Sequence, residues 1–307
     1  MDKLFEYLRN VSKVVVEETK IPSEEHEKNI AKGIIDAHIG FHIRGPFACG
    51  NKIFLSPNHM RYLWCVCYFM AFIFEQYISK NWNVEHYVVD FENDIPSKRA
   101  LELLEWGKSQ LKENRELPGG LPSPDVQKGN NYLTQVETEF ALKTNTVWIK
   151  AMVFIFLHEY FHIILGHTKL SGLSNAEIIE REWEVEKNAL EFIKLPEDLK
   201  EDDFIGILSF MLSGFFDLVD IGNIKPERHL PLNERLDKVL QHFEFNSPVD
   251  SKYVQYFYHF ASVGLLYGVA PLGIDFNHLG GTYNDARDYF NRLYSAIMQK
   301  VNFRIGI

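Results

Sequence analysis

Cysteine is scarce in this chain, with three residues in 307: Cys49, Cys65 and Cys67. Cys65 and Cys67 stand two apart in an apolar stretch expected to be helical, so their side chains point away from each other. Neither a disulfide framework nor a cysteine-based zinc site follows from that pattern, and a reducing cytosol is the expected compartment. Cationic charge is also short, with 32 Lys and Arg against 42 Asp and Glu and a net charge of −10. The absence of a long basic run argues against a nucleic-acid partner, because phosphate binding needs a cationic surface. Long apolar runs are missing too. The most apolar stretch, 62–74, covers 13 residues and ends at Glu75. A bilayer span needs about 20, so a buried core helix is the better reading. Segment 147–165 is longer but carries Lys150, His158, Glu159 and His162. That argues against a simple span and leaves peripheral membrane contact open. The N-terminus has no cationic stretch leading into an apolar one, so no signal peptide is expected. Internal repeats and low-complexity tracts are absent.

What remains is a chain with 46% hydrophobic and 24% charged residues, the balance of a folded globular protein with a substantial core. Helical periodicity dominates. Amphipathic helices are expected at 2–18 and 23–35, an apolar helix from Asn58 to Ser79 behind Ser56-Pro57, and a helix capped by Ser97 reaching 113. Between them the period shortens. Gly40-Phe41-His42-Ile43-Arg44 and Asn51-Lys52-Ile53-Phe54-Leu55 alternate around Gly45-Pro46 and Gly50, which predicts a β-hairpin. A further short strand is expected at 87–91. Pro118-Gly119-Gly120-Leu121-Pro122-Ser123-Pro124 is the strongest loop signal and reads as a surface loop. Helices follow from about Thr134, then near 198–219, 232–244, 250–267 and 284–301. The expected fold is α+β and mostly helical, a single domain over 1–307. Its N-terminal part, 1–125, holds helices and the hairpin; 126–307 holds the remaining helices.

Within the apolar helix near 153–165 stands His158-Glu159-Tyr160-Phe161-His162, an H-E-x-x-H signature. At about 100° per residue His162 lies about 40° from His158, so both imidazoles reach one metal ion. Glu159 falls on the same side, where it accepts a proton from an activated water. Three ionisable groups in an oily helix are costly to bury without a partner. The motif needs a third ligand to be more than a chance match.

Residues 170–178 break the helix, and Ser174-x-x-Glu177 is a capping box that starts the next. On that helix Glu182 and Glu186 share a face with Val185, Ala189 and Ile193, whereas Glu180, Glu184 and Glu191 fall on the opposite, wet side. Glu182 as the third protein ligand and Glu186 as a hydrogen-bonding support to a ligand histidine fit this phase. An ordinary charged helix does not explain two inward glutamates. His167 lies about 140° from His162 on a continuing helix and is a poorer candidate. The isolated His26, His38, His42 and His86 read as surface or core histidines.

H-E-x-x-H followed by a helix with paired glutamates resembles the gluzincin-like metallopeptidases. Within that group the chain looks most like the Lit phage-exclusion peptidases. The resemblance runs through Gly40-Phe41-His42-Ile43-Arg44, Tyr62-Leu63-Trp64, Phe74-Glu75-Gln76-Tyr77, Leu103-Leu104-Glu105-Trp106 and the two metal-site helices. It includes His229-Leu230-Pro231-Leu232-Asn233-Glu234-Arg235-Leu236, similar to an H-P-x-x-x-E-R segment in membrane-embedded relatives, with the proline displaced by one position. Glu186 stands where that family usually has Asp. The resemblance implies a zincin-like core and a cytoplasmic protease of bacterial abortive defence. Such a protease cleaves elongation factor Tu when a phage-derived activator licenses it.

The expectation is therefore a zinc peptidase. His158, His162 and Glu182 bind Zn2+, Glu159 is the general base, and His229 and Arg235 assist at the oxyanion. The alternatives are a non-enzymatic helical interaction protein with a structural metal site, which would want four protein ligands, or a zinc hydrolase acting on another substrate.

Overall fold

A computed structural model describes residues 19–20, 24–25, 28, 37–39, 45–75, 93–113, 115–124, 133–193, 201–221, 228–243, 251–269 and 285–305. The expected strands at 40–44 and 87–91, almost all of the helices at 2–18 and 23–35, and the expected helical extension 76–79 lie outside these residues.

Three short strands, β1 (Ala37–Ile39), β2 (Phe47–Cys49) and β3 (Lys52–Leu55), form one sheet in the order β1-β3-β2. β2 and β3 make an antiparallel hairpin, with Cys49 opposite Lys52 across a two-residue turn. Gly50 opens that turn at φ 58°, the left-handed geometry that tight hairpins favour. The hairpin thus turns at Gly50-Asn51, with β2 at 47–49 as the partner that the alternation reading set at 40–44. β1 adds to the other edge of β3 in parallel, Ala37 beside Ile53. Along β3 the pleat buries Ile53 and Leu55 and turns Phe54 to the other face, stacked on Phe47 at 4.8 Å.

The helices make the body of the fold. Ser56 caps α1 (Pro57–Ile73), its hydroxyl accepting from the His59 amide at 3.3 Å, with Pro57 at the first position. Almost every α1 side chain is buried, as in a helix that is apolar all round. Around it pack α2 (Ile95–Gln110), α3 (Gln135–Ile164) and α5 (Glu201–Ile221), the last two also against each other. The cap of α2 is Asp94, which accepts from the Ser97 amide at 3.0 Å; Pro96 in the first turn pushes the start upstream of the expected Ser97. The polar ends of buried aromatics tie these helices together. Trp148 Nε1 donates to the Met60 carbonyl at 3.2 Å, Trp64 Nε1 to Asn145 at 2.9 Å and the Tyr62 hydroxyl to the Ser213 carbonyl at 2.8 Å.

α3 begins with a capping box, Thr134 with Glu137. Both carboxylate oxygens of Glu137 also accept from one terminal nitrogen of Arg99, at 3.0 Å each, which joins α2 to α3. Among the described residues α3 is the one helix long and apolar enough to cross a membrane, and 83% of its most apolar window is buried inside the protein. α4 (Asn175–Phe192), α6 (Leu232–Phe243), α7 (Ser251–Gly268) and α8 (Ala286–Ile305) complete the mostly helical α+β fold.

Candidate metal centre

Helix α3 ends where Gly166 adopts φ 75°, a left-handed stop that a β-carbon would strain. The chain turns back through a short 3-10 helix, His167–Lys169, and the Ser174–Glu177 capping box starts α4, which packs against α3. Two helices thus present their ionisable residues to each other across a short connection.

Where they meet, three donor atoms converge. His158 Nε2 lies 3.2 Å from His162 Nε2 and 3.2 Å from Glu182 Oε2, and His162 Nε2 lies 3.3 Å from the same oxygen. A tetrahedron with metal–donor bonds of about 2.0 Å has edges of about 3.3 Å, so this triangle has the size of one face of a zinc site. The fit is to the donor set as well: among the described residues two imidazoles and a carboxylate converge, the three protein ligands of a catalytic zinc site. Burial pushes the Glu182 carboxyl up, but its bonds to His158 and His162 outweigh that and hold it well below the usual range. Burial pushes His158 down, and the bond to Glu182 with the field of Glu159, Glu182 and Glu186 overcomes it and raises the imidazole.

Glu159 is buried beside this triangle, 6% exposed. Burial raises its carboxyl pKa, against the opposing pull of His158 and His162. It also accepts a hydrogen bond from the backbone of Ala48. The register explains that contact. Cys49 and Lys52 flank the turn as a hydrogen-bonded pair, so Ala48, opposite Ile53, turns its amide away from β3 and out of the sheet edge. The hairpin therefore sits over the glutamate of the motif.

On the other flank stand Glu186, His229 and Arg235. Arg235 grips Glu186 through two donors, Nε to Oε2 at 3.2 Å and the terminal nitrogen to Oε1. Burial pushes Glu186 up, but the Arg235 charge and His229 bring its pKa to about 2. His229 Nδ1 lies 3.5 Å from both Glu182 Oε2 and Glu186 Oε1, and its ring is 6.0 Å from that of His158. Burial and the Arg235 charge lower the His229 imidazole, against the two carboxylates. The support expected from Glu186 to a ligand histidine is not made: its oxygens face Arg235 and His229. Among the described residues His158 Nδ1 has no hydrogen-bond partner. Arg235 is buried and committed to Glu186, so the geometry fits a part in holding the surroundings of His229 and not direct donation to the oxyanion.

Three features were not read from the sequence. His167 does not continue α3. The Gly166 turn brings its ring 5.5 Å from that of His162, and it pairs with Glu184 at 3.2 Å. The signal was there, since a glycine directly before it marks a helix end. The Ala48 amide had none, because a backbone donor is independent of side-chain type. Phe210 of α5, 6.4 Å from the His158 ring, looked like any apolar core residue.

A peptidase is what the wider comparison supports: the Peptidase U49 family model matches residues 53–259, from β3 into α7 and across both metal-site helices. The chain belongs to the Peptidase U49 family. No curated protein and no solved structure matches it.

Proposed function

We propose that this protein is a zinc-dependent endopeptidase of the Lit phage-exclusion type, a single-domain cytoplasmic enzyme acting on a protein substrate. The observation that carries the reading is the triangle of His158, His162 and Glu182 donor atoms with buried Glu159 beside it. In this reading those three residues hold Zn2+, which supplies a Lewis acid that acidifies water and polarises a peptide carbonyl. Glu159 takes the proton of the attacking water and delivers it to the leaving amine. A carboxyl raised by burial suits that task, because it is a stronger base for the water's proton than an ordinary carboxylate. The Ala48 amide fixes which way the carboxylate faces. His229, protonated when it acts, keeps its Nδ1–H towards the Glu182 and Glu186 carboxylates and donates from Nε2 to the carbonyl oxygen as negative charge develops there. The Arg235–Glu186 pair keeps that imidazole in place. The resemblance to Lit peptidases supplies the substrate and setting: elongation factor Tu, cut in bacterial defence once a phage-derived activator is present.

The test is co-expression with elongation factor Tu and a phage activator. Wild-type protein should yield two discrete fragments, and Glu159→Gln should keep its zinc and lose the cut by roughly 10²-fold or more. Full cleavage by Glu159→Gln would refute the mechanism. An intact factor under conditions where an established family member cuts it would remove the target and leave the zinc peptidase standing.

A further inference from the structure

Helix α5 lies along α3, both running in the same direction on their shared seam. Asp203 pairs with Lys150 at 3.3 Å. At Gly206 the backbones are so close that a β-carbon would fall 2.8 Å from the Val147 carbonyl and 2.9 Å from the Ala151 nitrogen. One turn further, the Phe210 ring meets Phe154 at 5.7 Å and His158 at 6.4 Å. Residues 203, 206 and 210 are spaced by three and four, so they share one stripe of α5, and residue 214 continues it.

At residue 214 the seam opens. Gly214 is exposed, and a β-carbon built on it would meet no heavy atom of the described residues within 4 Å. The stripe sealed against α3 as far as Ala151 thus emerges beside His158 as a half-buried phenyl ring followed by a position with no side chain. A glycine inside a helix of 21 residues weakens it, and none of the described residues crowds this one, so their packing does not call for it. The Arg235 guanidinium stands 6.0 Å over the same ring. Its charge is met by Glu186, so it offers none to a ligand.

We propose that Phe210 and Gly214 form an apolar subsite of the metal centre, taking the side chain of the substrate residue next to the scissile bond and selecting a bulky aliphatic or aromatic one. The inference rests on the zinc peptidase reading. The subsite is continuous with the donor triangle through the Phe210–His158 contact, and the Arg235 charge over its floor is already met by Glu186, so among the described residues it gives an ionised side chain no partner. The missing side chain at 214 leaves the volume that a large residue fills.

The zinc-loaded full-length protein and two hydroxamates test it without relying on turnover. Acetohydroxamate carries the metal-binding group alone; the second probe adds a benzyl substituent beside that group. Calorimetry should find the benzyl compound roughly 10- to 100-fold tighter than acetohydroxamate. Gly214→Leu should erase most of that difference while acetohydroxamate affinity and zinc content hold and the melting temperature does not fall. Phe210→Ala should reduce it in the same direction. An unchanged benzyl preference in Gly214→Leu, or no preference in the wild type, overturns the subsite and leaves the metal centre intact. Failure of both hydroxamates to bind a chain shown to carry zinc overturns the subsite too. Failure to take up zinc at all removes the reading beneath it.

Discussion

Glu186 and Arg235 are charges with almost no water to fall back on, at 2% and 8% exposure. Breaking such a pair leaves an uncompensated buried charge, whereas replacing both partners is far milder. Arg235→Ala should therefore cost about 3–5 kcal/mol in urea denaturation. Arg235→Met combined with Glu186→Gln should recover most of it. A single mutant within about 1 kcal/mol of wild type would show that the pair does not hold the site. Next to it, His229→Ala should keep its zinc and lower kcat by roughly 10²- to 10³-fold with KM little changed, the loss of one oxyanion donor. Zinc loss in that variant would make His229 a ligand. At this scale the sequence was legible wherever one helix sets the spacing. The period of 3.6 residues alone brought His158, Glu159 and His162 to one side and turned Glu182 and Glu186 inward. It failed where a partner comes from elsewhere in the chain. Arg235 reaches Glu186 across 49 residues, and no local pattern announces that.

Between elements, two glycines of α5 make opposite statements. Gly206 is wedged against the α3 backbone, whereas among the described residues no atom lies within 4 Å of a β-carbon at Gly214. Gly206→Ala should destabilise by about 1–3 kcal/mol, since backbone on backbone has little room to give. Gly214→Ala should stabilise by about 0.5–1 kcal/mol through helix propensity alone. Thermal denaturation of the two variants reads the contrast, and equal effects would mean that α5 does not lie along α3 as described. The helices were legible because their caps and apolar faces are local: Ser56-Pro57 and the Ser174–Glu177 box stand where the pattern set them. The start of α2 was missed because Asp94 and Ser97 are both good caps, and Pro96 favours the earlier one. The sheet was harder. Three- and four-residue strands carry too little alternation to fix a partner, and the parallel pairing of β1 with β3 is a contact between separated segments.

For the molecule as a whole, pH should act on stability through histidines away from the metal site. Burial lowers the His259 imidazole below its ordinary value. Just below pH 6.5 the unfolded chain then binds a proton that the folded one refuses, so stability rises with pH across that window and falls on acidification. His259→Gln should flatten this slope in denaturation measured between about pH 5 and 7; an unchanged slope would assign it to other groups. The central claim is that one zinc ion joins α3 to α4 through His158, His162 and Glu182. Metal analysis of purified wild type, Glu182→Ala and Glu159→Gln tests it most directly. The account expects one zinc per chain in the wild type and in Glu159→Gln, and almost none in Glu182→Ala. A wild type without zinc, or a Glu182→Ala variant that keeps its full complement, would contradict it.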